Sequence, residues 1–179
     1  MRARLAAIAV AGIALTAVPA TVVRAAPARG ALVCTWGGTP DAPTGVFTAS
    51  PGVTNAPSTG PVEFTATGEL GGGEGCTGTL TFRGVLEPGT SCLAAMPFQA
   101  TATGFLPIRY AEGSVGPLGT APVVLYDSDR NPVGSEQAQF LTAALDQGDQ
   151  LLSNCNSPEG LTRATWSDTL ELYGSSPEN

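Results

Sequence analysis

The clearest pattern in the chain is two runs of strict alternation on either side of a glycine loop. From Val62 to Leu70, Val62, Phe64, Ala66, Gly68 and Leu70 share one face, and Glu63, Thr65, Thr67 and Glu69 share the other. From Cys76 to Leu86, Cys76, Gly78, Leu80, Phe82 and Gly84 fall opposite Thr77, Thr79, Thr81 and Arg83. A period of two places successive side chains on opposite faces of a strand, so the pattern predicts a β-hairpin turned by Gly71–Gly75. Folding the loop about Gly73 sets Phe64 near Phe82 and Leu70 near Cys76. The apolar faces then coincide, as do the threonine faces, which suits an antiparallel sheet with one wet side.

The same reading extends along the chain. Cys34–Pro43 is rich in turn formers and reads as part of a lead-in, 26–43, to a short strand from Thr44 to Ser50. Pro51–Pro61 is a loop, and Glu87–Thr90 a turn after the hairpin. Cys92–Leu106 alternates again, with Phe98, Ala100, Ala102 and Gly104 inward. Arg109–Val115 and Ala121–Tyr126 are predicted strands around the turn Gly116–Gly119, and Asp127–Asn131 turns tightly into Pro132–Thr142. Helical spacing occurs only between Glu136 and Leu152, and strand fits its first half better. Ala143–Leu161 is the least regular stretch, and Thr162–Tyr173 reads as a closing strand. The expectation is a single all-β domain over 44–174, of about eight antiparallel strands, with a polar tail at 175–179. Eight strands joined by short turns form either an up-and-down barrel or a sandwich. The small inward residues Ala66, Gly68, Gly78, Gly84, Ala100, Ala102 and Gly104 suit a barrel with an incompletely filled interior. A small domain has few aromatics to spare from its core, which tilts the expectation toward a sandwich filled by them.

The first 25 residues stand apart. Met1–Arg4 is basic, Leu5–Val18 is a 14-residue apolar run, and small residues offer cleavage after Ala20 or Ala25. This is the pattern of a secretory signal peptide, too short to span a bilayer. The bulky Val33 before Cys34 argues against lipidation of that cysteine. All eight basic residues are arginine, and four of them precede Cys34, whereas all fifteen acids follow it. The segment 34–179 therefore carries four positive and fifteen negative charges, a net −11. A domain so acidic repels phosphate backbones, which excludes nucleic acid as a partner.

Four cysteines in a secreted chain predict two disulfides. The hairpin puts Cys76 and Cys92 at opposite ends of the sheet, beyond bonding reach. Running the first strand back against Val62–Leu70 brings Cys34 to the Cys76 end. The expected pairs are Cys34–Cys76 and Cys92–Cys155.

The absences in the sequence narrow its chemistry. It contains no histidine and no lysine. Nucleophile–histidine pairs, histidine-ligated zinc, lysine Schiff bases and P-loops are thereby removed, and no cofactor is implied. Carboxylate chemistry remains, and a glycan hydrolase built on Asp168 with a second acid such as Glu112 is the enzymatic alternative. By parity with Ala164, Trp166, Leu170 and Leu172, Asp168 points inward, where it needs a bulge, a pocket or a partner such as Arg109. Asp127, Asp129 and Asn131 have the spacing of a calcium loop. Pro132 and Ala138 occupy positions where that loop needs Gly and Glu, so the segment reads as a turn and no metal is expected. Thr65, Thr67, Thr77, Thr79, Thr81, Thr101 and Thr103 form an outward hydroxyl array of the kind some ice-binding proteins carry, and threonine is an ordinary residue for a strand's wet face. Trp36 and Trp166 are expected in the core.

The segments Cys34-Thr-Trp-Gly-Gly38 and Gly75-Cys-Thr-Gly-Thr79 resemble those of small secreted actinobacterial β proteins of unassigned function. The resemblance implies a secreted β domain and no activity. The sequence thus favours a secreted, non-catalytic domain that binds a protein partner through Pro51–Pro61 and Ala143–Leu161. The alternative binder is a barrel that takes a small apolar ligand in a pocket lined by Asp168, Trp166, Phe64, Phe82 and Phe98.

Overall fold

The computed structural model describes residues 31–94, 96–104, 108–115, 122–138 and 148–173. The segment 1–25 expected to be a signal peptide, the expected turn 116–119, the start of the irregular stretch at 143–147 and the expected tail 175–179 lie outside the described residues.

Twelve strands and one helix are described: β1 Leu32–Trp36, β2 Gly38–Thr39, β3 Ala42–Pro43, β4 Gly45–Val53, β5 Val62–Gly71, β6 Thr79–Leu86, β7 Met96–Gly104, β8 Tyr110–Val115, β9 Pro122–Tyr126, β10 Pro132–Ala138, α1 Gly148–Cys155, β11 Leu161–Trp166 and β12 Asp168–Leu172. From β5 to β10 each strand pairs antiparallel with the next. Strand β12 then joins β10 to β1, and β1 returns to β5 through Thr35↔Gly71 and Trp36↔Leu70. The result is a closed eight-stranded barrel, not a sandwich. Strands β4 and β11 pair with each other, and β4 with β5, on the same seam. Only Ser167 separates β11 from β12, so the β4–β11 and β1–β12 pairs stack end to end along it.

The register fixes the barrel's proportions. The inward row starting at Cys34 runs through Leu170, Glu136, Val123, Gly113, Phe98 and Leu86 to Val62. Continuing the β1–β5 pairing by one residue instead places Cys34 opposite Gly72. The row returns ten residues away from its start. A stagger of that size tilts the strands by about 40° and leaves an interior just wide enough for side chains to fill.

The interior is filled by rings. Phe82, Trp36, Trp166, Phe47, Phe64 and Phe98 form a chain of contacts with centroids 5.4–6.2 Å apart, mostly edge to face. The small inward residues make room for these rings. Phe64 lies opposite Gly84, Phe98 opposite Gly113, and Phe82 opposite Ala66 and Ala102. A Cβ at Gly68 would stand 2.6 Å from Trp36 Cε2. Both sequence arguments therefore hold in part. Small residues do belong to a barrel, and the aromatics do occupy the core.

The hairpin differs from its predicted register by two residues. Thr67 pairs with Thr81 and Phe64 with Gly84, and the Leu70 N–H donates to Gly78 O. The loop is wider than a turn about Gly73, because Gly72, Gly75 and Gly78 adopt positive φ and Cys76 is drawn out to Cys34. An even slip leaves every side chain on its predicted face. Both predicted disulfides form, Cys34–Cys76 and Cys92–Cys155.

The segment read as a lead-in carries a structural strand. Strand β1 closes the barrel, and Trp36 is fully buried with its Nε1–H donating to Leu80 O at 3.0 Å. Gly37 follows at φ 68°, where a Cβ would lie 2.5 Å from Trp166 O. Turn formers and a two-residue hairpin (β2–β3) dominate the local sequence, and their weight hides the five-residue strand. The helical spacing seen between Glu136 and Leu152 resolves into strand β10, ending at Ala138, and helix α1 from Gly148.

Candidate functional site

At one end of the barrel three connections meet: Thr54–Pro61, Glu87–Ala94, and α1 with the turn behind it. The Cys92–Cys155 disulfide joins the second to the third, with 6.1 Å between Cα atoms. Backbone bonds bind in the first. Cys92 N donates to Thr54 O at 2.8 Å, Ser58 N to Thr90 O at 2.8 Å, Gly89 N to Ser58 O at 2.9 Å and Asn55 N to Cys155 O at 3.2 Å. The Asn55 Nδ2 group adds a 2.7 Å bond to Asn156 Oδ1. Loops bonded to one another in this way lose less freedom on binding than free loops do. Of the two loops expected from the sequence, Pro51–Pro61 and Ala143–Leu161, residues 54–61 and 148–160 belong to this platform, whereas 51–53 extend strand β4 and Leu161 begins β11.

Two leucines project from the platform. Helix α1 turns Leu151 into the core and leaves Leu152 53% exposed, and Leu93, next to the disulfide, is 64% exposed. Leu93 adjoins Cys92, and Leu152 lies one helical turn before Cys155. Chain geometry across the disulfide therefore holds their Cα atoms within about 16 Å of each other. Nothing in the linear sequence marks Leu93 as exposed. Leu152 could be inferred only from its neighbour Leu151 taking the inward side of a helix.

The sequence-predicted pocket residues come together in the interior. Trp166, Phe64, Phe82 and Phe98 are all buried and pack as described above. Asp168 is 3% exposed, inward as predicted, and its carboxyl meets that of Glu136, itself 4% exposed. The two are diagonal neighbours on paired strands, since Glu136 sits opposite Leu170 and Asp168 opposite Ala138. Burial pushes the Glu136 carboxyl above the ordinary range, against the opposing pull of its hydrogen bond with Asp168. Glu136 Oε1 has no hydrogen-bond partner among the described residues. Parity could have identified Glu136, because Gly134, Glu136 and Ala138 alternate with Val133, Ser135 and Gln137. The reading of that stretch as partly helical obscured it.

The other acid and base proposed for Asp168 lie elsewhere. Glu112 is on the outer face, accepting a 3.0 Å bond from the Tyr110 hydroxyl, and Arg109 is exposed. Tyr110 in turn lies 5.9 Å from the Tyr126 ring, with the Arg130 guanidinium 5.3 Å above it.

The Asp127–Asn131 segment is a turn. Asp127 accepts bonds from the Asp129 N–H, the Asn131 N–H and Asn131 Nδ2, and these bonds, led by those from Asn131, hold its carboxyl below the usual range. Among the described residues no three His, Cys, Asp or Glu side chains converge on a metal position, and no helix is long and apolar enough to cross a membrane. The outward threonines align across strands, as in the row Thr67–Thr81–Thr103, where Thr67 and Thr81 hydroxyls bond each other at 3.1 Å.

Comparison with protein-family models, curated proteins and solved structures finds no match.

Proposed function

We propose that this chain is a secreted, non-catalytic binding domain that contacts a protein partner through the disulfide-stapled end of its barrel. The observation that carries the reading is the placement of exposed Leu93 and Leu152 on either side of Cys92–Cys155. Exposed leucines on a rigid support are the raw material of an interface centre. The signal-like N-terminus and the two disulfides support an extracellular setting.

The interior favours neither rival. The rings that would line an apolar pocket, Trp166, Phe64, Phe82 and Phe98, are buried among the described residues and belong to one chain of ring contacts, which weighs against the ligand-binding barrel. A glycosidase pair must stand about 5–10 Å apart with sugar between its members, whereas Glu136 and Asp168 hydrogen-bond to each other inside the wall.

The test is capture from the native secretion medium, with crosslinking, using the wild-type chain, Leu93→Asp/Leu152→Asp, and Thr101→Asp/Thr103→Asp on the side wall. Loss of the crosslinked partner in the leucine variant alone supports the reading. Retention there, or loss in the side-wall variant alone, overturns it. Circular dichroism of each variant establishes that its barrel is intact.

A further inference from the structure

We propose that Glu136 and Asp168 form a proton-binding site in the seam that closes the barrel, so that the fold is held most tightly in acid and loosens as the medium turns alkaline. Glu136 belongs to β10 and Asp168 to β12, the strand that joins the β5–β10 meander to β1. Two carboxyl groups in contact and away from water cannot both carry charge at an acceptable cost. One proton shared between them, or a cation beside them, is needed.

The sequence leaves few cations to supply. The chain has no lysine and no histidine, and the internal segments outside the described residues contain no arginine. After Cys34 the arginines are Arg83, Arg109, Arg130 and Arg163, and all four are exposed. The residues registered opposite Glu136 on the two strands beside it are apolar, Val123 on β9 and Leu170 on β12, and Leu170 in turn lies opposite Cys34 on β1. The cysteine is oxidised. Among the residues whose burial is described, Glu136 and Asp168 are the only buried carboxylic acids. Glu136 Oε1, without a hydrogen-bond partner and 96% buried, is the atom on which a proton removes an uncompensated charge.

The sign follows from linkage. The folded state holds the Glu136 proton more tightly than the unfolded chain does. The stabilisation is complete below the unfolded glutamate value of about 4.3 and is lost as pH rises toward the higher folded value. The test is urea unfolding of the oxidised mature chain between about pH 4 and pH 8, for wild type, Glu136→Gln and Asp168→Asn. We expect the wild-type midpoint to fall with rising pH. Glu136→Gln, which keeps a donor toward Asp168 and cannot ionise, should lose that dependence and exceed wild type at the alkaline end. A wild-type midpoint that is flat or rising, or a glutamine variant weaker by the same amount at every pH, overturns the proposal. The wild-type Glu136 carboxyl carbon, followed by NMR, gives a reading that needs no variant: a midpoint at the ordinary glutamate value refutes it. Stabilisation by added calcium at alkaline pH that disappears in Glu136→Gln would assign the site to a metal cation and equally overturn it.

Discussion

Gly68→Ala separates a filled barrel from one that leaves room for a ligand. On an ordinary strand the change restricts the unfolded chain and gains about 0.4–1 kcal/mol. At Gly68 the new methyl would stand 2.6 Å from Trp36 Cε2 and 2.9 Å from both Gly37 Cα and Gly37 N. Two of those three atoms are backbone, and the indole is held by its 3.0 Å bond to Leu80 O and by rings on two sides. Ordinary contact begins near 3.4 Å, so β1 and β5 must separate by the better part of an ångström where they close the barrel. Overpacking of that kind costs about 1–3 kcal/mol, more than the gain. Gly73, with nothing within 4 Å of its position, is the control, and Gly73→Ala should be neutral or mildly stabilising. The assay is urea unfolding of both variants against wild type, with the slope checked for constancy. A Gly68→Ala chain as stable as Gly73→Ala would mean that the methyl enters empty space, and the account of the interior would be wrong.

Two more outcomes follow from the covalent and electrostatic frame. Replacing Cys92 and Cys155 by alanine opens a separation of 63 residues and should cost about 4 kcal/mol on the chain-entropy estimate, slightly more than removal of Cys34–Cys76 with its separation of 42. Equilibrium unfolding measures both, and a loss below about 1 kcal/mol for either would contradict the estimate. Asp127 works in the opposite sense to Glu136. Its lowered carboxyl contributes stability that is present above the ordinary aspartate value and lost as pH falls through the depressed one. Asp127→Ala should therefore be weaker than wild type at neutral pH and converge with it in acid. An unfolding difference that stays constant across pH would count against the turn's carboxylate bonds.

The fold was legible wherever a strand showed a clean period of two. Strands β5 to β7 keep every predicted face, and the cysteine pairing followed from which end of the hairpin each residue reached. Barrel closure was not legible, because it depends on β1, whose five residues sit among glycines and prolines and acquire meaning only through partners far away in sequence. The two-residue error in the hairpin has a similar origin. A glycine loop does not reveal how many residues it spends in turning, and Cys76 is held outside the strand by a bond to Cys34. The inward position of Asp168 was readable from parity, whereas its partner Glu136 was masked by an ambiguous helix–strand segment. The exposed leucines were the least legible of all. A leucine in a loop carries no sign of which way it faces until the surrounding loops are tied together.

The proposed recognition through the outside of the barrel requires that the interior be taken up by the chain's own side chains. Trp36 and Trp166 report on that interior directly, being buried and 5.4 Å apart within the chain of rings. Their fluorescence can be titrated with a medium-chain fatty acid and a compact aromatic probe, using mature, oxidised protein. The expected result is blue-shifted emission that neither probe changes saturably. Saturable quenching at one probe per chain would contradict it, because a ligand would then occupy the space assigned to the rings.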